Sequence, residues 1–193
     1  MRAYIIFTVV ITSLLMVACS MVNIAGNPIQ GLYSHYDATN AEYPGLLVKA
    51  DSTAICDLEY PDSPKVFMVN GQQLKECLTG YDNAIVYIWD AHCPAEQCFS
   101  PSLLQKYCDE KNVQLFVVAE YYDGPELIQF YEIKRPLFGI DTKYYKADYI
   151  DKYRKLFEAD LDAVDESYSR MLYFKKGKYV GGARIEFEEE RKL

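Results

Sequence analysis

One stretch, Ala84 to Tyr107, constrains the fold of this chain more than any other. It begins with an apolar run over 84–89, whose β-branched and aromatic residues predict a buried strand. Apolar residues at helical spacing from 103 to 108 then predict one face of a helix. Between them stand Cys93 and Pro94, and proline is favoured in the first turn of a helix. We therefore expect a strand that delivers a cysteine to the start of a helix, where the helix dipole favours a thiolate.

The end of this strand and the residues after it carry Tyr87, Trp89 and Cys93. This pattern resembles the thioredoxin superfamily, in which a strand with the motif aromatic-Trp-x-x-x-Cys leads into a cysteine-bearing helix. Residues 67–74 resemble the strand and glycine turn that precede this element in the superfamily's periplasmic reductases. Residues 170–181 resemble their terminal hairpin. The resemblance covers roughly residues 60–185. It implies an α/β fold with a thioredoxin-like central mixed sheet flanked by helices, here with an N-terminal strand extension.

The resemblance also implies site residues. Cys93 would be the nucleophile of thiol–disulfide exchange and Cys98 the resolving cysteine. The implied supporting or substrate-binding residues are Trp89, Pro94, Ser169 and Arg170. Two features differ from the superfamily pattern. The superfamily's motif is Cys-x-x-Cys, whereas four residues separate the two cysteines here, and Tyr-Ser-Arg at 168–170 stands where the superfamily carries a cis-proline.

The spacing of Cys93 and Cys98 restricts the geometry of a bond between them. Residues five apart in an unbroken α-helix have Cα atoms roughly 8–9 Å apart. A disulfide needs less than about 7 Å. We therefore expect either that Cys93 lies before the helix, that the first helical turn unwinds during each redox cycle, or that no bond forms.

The same spacing resembles some monomeric peroxiredoxins, in which the peroxidatic and resolving cysteines are four residues apart. Glu96 and Phe99 match residues of their motif, and Arg170 falls close to the arginine that they hold against the peroxidatic thiolate. Asp90 stands where they have threonine. A carboxylate there would repel both a thiolate and a peroxide, and pairing with Arg170 would soften that repulsion.

Three functions therefore stay open. The first is a thiol–disulfide oxidoreductase that acts on proteins of the cell envelope with Cys93 and Cys98. The second is a redox-inactive thioredoxin-fold lipoprotein that binds a partner or is structural, which the missing cis-proline favours. The third is a thiol peroxidase. We expect no cofactor, and no metal, because His92 lies beside the two cysteines without an evident fourth zinc ligand.

The first residues predict export and lipid anchoring. Residues 1–18 begin with Met1-Arg2 and continue with 16 uncharged, mostly apolar residues, which is short for a membrane span of about 20. Residues 16–20 resemble a bacterial lipoprotein signal, which implies lipidation of Cys19. The implied location is the bacterial cell envelope, an oxidising space, with the chain attached to a membrane through that lipid.

The rest of the chain is predicted as a tether over 19–45 and a thioredoxin-like domain over 46–193. The tether follows from scattered polar residues without periodicity. Two apolar runs, 46–50 and 53–58, predict a hairpin that turns at Asp51-Ser52. A net charge of −8 argues against nucleic acid as a partner.

Apart from Cys19, the chain has five cysteines, so at least one thiol stays unpaired within a monomer. The candidate pairs are Cys93–Cys98 and Cys56–Cys77. Cys108 falls on the apolar face of the predicted helix, where we expect an inert buried thiol.

Overall fold

The computed structural model describes residues 31–50, 55–93, 98–164 and 169–183, and from Tyr33 onward they belong to one compact unit. The helices are α1 Tyr36–Glu42, α2 Gly71–Leu78, α3 Pro101–Glu110, α4 Gly124–Leu127, α5 Thr142–Tyr145 and α6 Ile150–Asp160. The strands are β1 Leu47–Lys49, β2 Val66–Val69, β3 Ala84–Asp90, β4 Gln114–Tyr121, β5 Leu137–Ile140, β6 Met171–Lys175 and β7 Lys178–Gly182. Ile55–Asp57 forms a 3₁₀ turn.

The seven strands form one mixed sheet in the order β1-β2-β5-β4-β3-β6-β7. The first five strands in this order are parallel, and β6 and β7 are antiparallel to their neighbours. Helices cover the sheet, and β1 adds a strand at the N-terminal side. The predicted fold class is confirmed: an α/β protein with a mixed sheet flanked by helices, consistent with the thioredoxin-like class.

Strand β3 lies inside the sheet between β4 and β6, and its side chains alternate between two buried layers. Val86 and Ile88 join the layer that includes residues of α2 and α6. Tyr87 and Trp89 join the layer that includes residues of α3. Because both faces are covered, the strand is continuously apolar instead of alternating with polar residues.

Helix α2 begins where the sequence suggested only a turn. The side chain of Asn70 accepts the N–H of Gln73 at 2.9 Å, and the side chain of Gln73 accepts the N–H of Asn70 at 3.0 Å. This reciprocal capping satisfies two backbone donors of the first turn. Gly71 then lies against α6, where an added Cβ would stand 2.4 Å from the carbonyl oxygen of Phe157.

The hairpin predicted over 46–58 is wrong. β1 pairs in parallel with β2, with Leu47 opposite Val66, and none of the described residues between these strands pairs with β1 as an antiparallel strand. Ile55–Asp57 is a 3₁₀ turn rather than a strand. By contrast, the terminal hairpin forms as predicted, with left-handed backbone at Lys176 (φ 48°) and Gly177 (φ 74°), as tight hairpin turns require.

The segment predicted as a tether contributes to the packed unit from Tyr33 onward. Ser34 and Thr39 are buried, and α1 lies within this segment. The Thr39 hydroxyl donates to the carbonyl of Tyr122 at 2.5 Å, which joins α1 to the end of β4. The compact unit therefore includes residues 33–45, ahead of the predicted boundary at 46.

The predicted signal peptide at 1–18 and the lipidation residue Cys19 lie outside the described residues. Within the described ranges, none of the helices combines the length and the apolar character needed to cross a bilayer.

Candidate functional site

Two cysteines and several charged side chains lie together at one edge of the sheet, the edge at which the parallel strands end. β3 and β4 are parallel, so Asp90 and Glu120 come to the same edge where these strands end. β6 runs the other way, so the residues before it, Ser169 and Arg170, come to that edge as well. In open α/β sheets, ligands bind outside the carboxyl ends of the strands.

Cys93 and Cys98 form a disulfide at this edge, with their Cα atoms 6.0 Å apart. Both cysteines are half-buried. Helix α3 begins at Pro101, so Cys93 precedes it by eight residues and the expectation that Cys93 opens this helix is wrong. The helix dipole acts only within the first turn, so α3 is not a source of thiolate stabilisation at Cys93. The bond meets the geometric condition because Cys93 lies before the helix.

A tight turn presents Cys93 directly after β3. The N–H of Cys93 donates to the carbonyl of Asp90 at 3.2 Å. The carboxylate Oδ1 of Asp90 accepts the N–H of His92 at 3.0 Å. Aspartate at the first position of a turn commonly binds the backbone two residues on, and here it fixes the path of the chain into Cys93.

Arg170 connects this turn to a buried carboxylate. Its guanidinium contacts Glu120, donates to the carbonyl of Ile88 at 3.4 Å and lies 3.5 Å from Asp90. The Glu120 side chain is only 3% exposed. Asp90 and Arg170 are thus paired, the pairing that the sequence analysis raised with the peroxiredoxin resemblance.

Glu120 has a second cationic partner in Arg154 of α6, whose guanidinium lies 3.3 Å away. Arg154 also contacts Glu158 at 2.7 Å and donates to the carbonyl of Ser169 at 2.9 Å. Removing a carboxylate or an ammonium ion from water is costly unless it is paired, and each charge in this cluster is paired. The cluster ties α6, β4 and the segment before β6 to the turn that carries Cys93.

Of the supporting residues predicted from the sequence, Trp89 lies in the core. It is 5% exposed, and its ring packs edge-on against Tyr131 with centroids 5.1 Å apart. Ser169 has its hydroxyl hydrogen-bonded to the backbone of Met171. Pro94 lies outside the described residues. The described residues contain no cis peptide bond.

His92 and Asp123 form a second polar pair beside the disulfide. Nδ1 of His92 lies 3.1 Å from Oδ2 of Asp123, which immediately precedes α4. The ring of Tyr121 contacts the rings of His92 and His35, with centroid distances of 6.0 and 5.0 Å. These two are the chain's only histidines. Burial, together with the carboxylates of Asp123 and Asp90, raises the pKa of Tyr121 and keeps its hydroxyl neutral.

No protein-family model, curated protein or solved structure matches this chain.

Sequence analysis missed Glu120, Arg154 and Asp123. The signal for Glu120 was present, because it is a lone carboxylate in an otherwise apolar run of strand. Arg154 follows Tyr153 on a helix whose apolar stripe predicts a core face and gives no sign of a buried charge beside it. Asp123 carries no local signal, since its contact with His92 depends on how β3 and β4 align.

The other cysteines among the described residues lie on other elements. Cys56 and Cys77 form the second predicted disulfide and join the 3₁₀ turn to α2. Cys108 is unpaired and buried on α3, and burial raises the pKa of its thiol to about 12. Among the described residues, no three metal-ligating side chains are gathered closely enough to hold a metal ion.

Proposed function

We propose that this chain is a thioredoxin-like thiol–disulfide oxidoreductase that exchanges disulfides through Cys93 and Cys98. Its partners are thiols or disulfides of envelope proteins and a dithiol electron donor, with no nucleic acid involved. The observation that carries the proposal is a half-exposed disulfide set by a fixed turn at the carboxyl edge of the sheet.

The proposed exchange has two steps. In the reduced protein the Cys93 thiolate attacks a client disulfide, whose S–S bond breaks as a mixed disulfide forms. The departing client sulfur leaves as a thiolate and takes a proton from water. The Cys98 thiolate then attacks the Cys93 sulfur, closes the Cys93–Cys98 bond and releases the second client sulfur. Two electrons pass to the client, and a dithiol donor returns them by the same exchange; the reverse sequence oxidises a client dithiol.

The surroundings of the two sulfurs support these roles. Cys93 is held at the end of β3 by backbone hydrogen bonds, so its position is fixed in the disulfide form. Cys98 lies between Cys93 and α3, and its Cα is 6.0 Å from that of Cys93 in the closed bond. Cys108 and the buried Cys77 lack such access.

A trapping experiment tests the proposal. Cys98→Ser removes the resolving sulfur, so mixing the reduced variant with a disulfide-containing protein such as insulin should accumulate a mixed disulfide on Cys93. Cys93→Ser is the matched control and should trap none. The absence of an adduct in the first variant, or equal adducts in both, would contradict the assignment of Cys93 as nucleophile.

The proposed location is the bacterial cell envelope, with the chain anchored to a membrane through a lipid on Cys19. The apolar residues before Cys19 support it. Growth with a labelled fatty acid should label the wild-type protein and leave the Cys19→Ser variant unlabelled. Label on both proteins, or on neither, would overturn the anchor.

A redox-inactive binding or structural lipoprotein is the second candidate. Three features favour it: Cys93 lies outside the first turn of α3, Trp89 is buried under Tyr131, and Tyr-Ser-Arg at 168–170 stands where the superfamily carries a cis-proline. A groove of about 370 Å³ also favours it, because exposed aromatic rings of Tyr60 and Phe130 line that groove. This candidate predicts that native Cys93–Cys98 stays bonded in mild reductant.

Thiol peroxidase is the weakest of the three proposals. Arg170 is paired with Asp90 and Glu120, so its charge is already shared between two carboxylates. Hydrogen peroxide consumption that depends on Cys93 would favour the peroxidase, and consumption unchanged in Cys93→Ser would exclude it.

A further inference from the structure

We propose that Asp90 is a positioning residue whose side chain holds the turn into Cys93 and thereby sets how readily the Cys93–Cys98 bond opens. The inference rests on the proposed function and deepens it, because it assigns control of the redox equilibrium to a residue that takes no part in the exchange itself.

Both oxygens of the Asp90 carboxylate have a partner. Oδ1 accepts the backbone N–H of His92 at 3.0 Å, and Oδ2 lies 3.5 Å from the guanidinium of Arg170. The backbone carbonyl of Asp90 also accepts the N–H of Cys93 at 3.2 Å. Asp90 therefore binds the backbone at two points of the turn, and the second point is the residue that carries the proposed nucleophile.

Arg170 gives the Asp90 carboxylate a fixed support. The carbonyl of Arg170 accepts the N–H of Ile88 at 2.7 Å, which ties this residue to β3 just before Asp90. Its guanidinium contacts the buried carboxylate of Glu120. The side chains of Asp90 and Arg170 are both half-buried, so water and salt weaken their attraction less than they would at an exposed pair.

A shift in register between β3 and β4 brings these charges together. Trp89 stands opposite Ala119, whereas Asp90 stands opposite Tyr121, so Glu120 is the extra residue of the shift. Bulges of this kind are common beside active sites, where they re-aim a side chain. The support of the turn is therefore part of the sheet and does not depend on α3.

A contact that holds one cysteine in place favours the closed bond. Closing the bond removes conformational freedom from the chain, and residues that are already held lose less of it. The contacts of Asp90 are present with the bond closed, and any that weaken when it opens add to the stability of the closed form. Both effects act in the same direction, so loss of the Asp90 side chain should make the bond easier to reduce.

Redox equilibration of the full chain tests this inference. The folded protein is equilibrated at set ratios of reduced to oxidised dithiothreitol, and its free thiols are alkylated and located by peptide mass spectrometry. In this reaction the Cys93–Cys98 bond breaks and each sulfur takes up a proton, while dithiothreitol gives up two electrons and two protons and closes its own disulfide. We expect the equilibrium constant for reduction to be roughly 3- to 10-fold larger in Asp90→Ala, the effect of losing about one net hydrogen bond.

Two further variants separate this role from a general loss of stability. Asp90→Asn keeps an oxygen that can accept the His92 N–H, so its equilibrium constant should lie closer to the wild type than that of Asp90→Ala does. Asp141→Ala is the matched control. Asp141 directly follows β5, and its carboxylate accepts the N–H of Lys143 at 3.0 Å, as Asp90 accepts that of His92. This control should lower stability and leave the equilibrium of Cys93–Cys98 unchanged.

The possible failures are distinct, with circular dichroism checking that each variant is folded. Equal equilibrium constants for the wild type and Asp90→Ala, an equal increase in Asp141→Ala, or no difference between Asp90→Asn and Asp90→Ala would overturn the inference and leave the exchange function standing. A Cys93–Cys98 bond that dithiothreitol leaves closed in the folded wild type would overturn the proposed function, and the inference with it.

Discussion

At the scale of single residues, Glu120 has the most consequential environment. Its carboxylate is 3% exposed and is shared between Arg154 of α6 and Arg170, next to the Cys93 turn. Breaking a buried ion pair on one side leaves a charge without compensation, which costs far more than losing an exposed pair. Glu120 therefore stabilises the structure of the site. Its partner Arg170 also pairs with Asp90, the residue that binds the backbone of the Cys93 turn.

We predict that Glu120→Gln lowers the free energy of unfolding by roughly 3 kcal/mol, because it leaves two arginines short of one negative charge. Lys75→Met is the matched control. It breaks the ion pair with Asp162, whose side chains are 38% and 72% exposed, and should cost less than about 1 kcal/mol. Urea unfolding of the three proteins measures both changes. Equal losses in the two variants would mean that the Glu120 cluster contributes no more than a surface pair.

At the scale of elements, the approach of α2 to α6 is set by Gly71. A Cβ at this position would lie 2.4 Å from the carbonyl oxygen of Phe157 and 2.6 Å from Cβ of Asp160. Both neighbours belong to α6, and a backbone oxygen cannot move without moving its helix. The contact therefore fixes the distance between α2 and α6. These two helices pack in the same layer as Val86 and Ile88 of β3.

We predict that Gly71→Ala destabilises the protein by roughly 1–3 kcal/mol, although alanine is the better helix former by about 1 kcal/mol. Gly80→Ala is the control, because the nearest atom to an added Cβ there is 3.5 Å away, an ordinary contact. We expect the control to change stability by less than about 0.5 kcal/mol. Thermal unfolding followed by circular dichroism gives both values. If Gly71→Ala were neutral or stabilising, the two helices would be less tightly packed than described.

The element scale also explains how far the sequence predicted the structure. The strand at β3 and the terminal hairpin were predictable, because a long apolar run and a glycine turn are strong local signals. The start of α3 was misplaced, because Pro94 and Pro101 both suit a first helical turn and local preference does not choose between them. The pairing of β1 with β2 was missed, because parallel pairing is decided by distant contacts that adjacent residues do not reveal.

The candidate site was predictable in part for the same reason. Both cysteine pairs were evident from their number and spacing. The contact of Arg170 with Asp90 was raised only through the peroxiredoxin resemblance, and the contact of His92 with Asp123 was not predicted, since these contacts join residues 80 and 31 positions apart in the chain.

At the scale of the whole molecule, the two disulfides have different roles. Cys56–Cys77 spans 21 residues and joins the 3₁₀ turn to α2 in a packed layer, whereas Cys93–Cys98 spans five residues at the sheet edge. A bond that closes a longer loop removes more freedom from the unfolded chain. We assign structural stabilisation to the first and chemistry to the second.

We predict that the double variant Cys56→Ala/Cys77→Ala loses about 3 kcal/mol of unfolding free energy, and that Cys93→Ala/Cys98→Ala loses about 2 kcal/mol or less. Alanine avoids placing a new hydroxyl at Cys77, which is 2% exposed. Urea unfolding under non-reducing conditions ranks the two variants. The reverse order would make Cys93–Cys98 the structural bond.

The central claim is that Cys93–Cys98 is a redox couple in the folded protein. The most direct measurement equilibrates the native chain in dithiothreitol buffers of increasing reducing strength, alkylates the free thiols and locates them by peptide mass spectrometry. The account predicts that Cys93 and Cys98 become labelled while Cys56–Cys77 stays bonded and Cys108 stays unlabelled, with circular dichroism unchanged. If the Cys93–Cys98 bond opens only when the protein unfolds, or only together with Cys56–Cys77, the claim is contradicted.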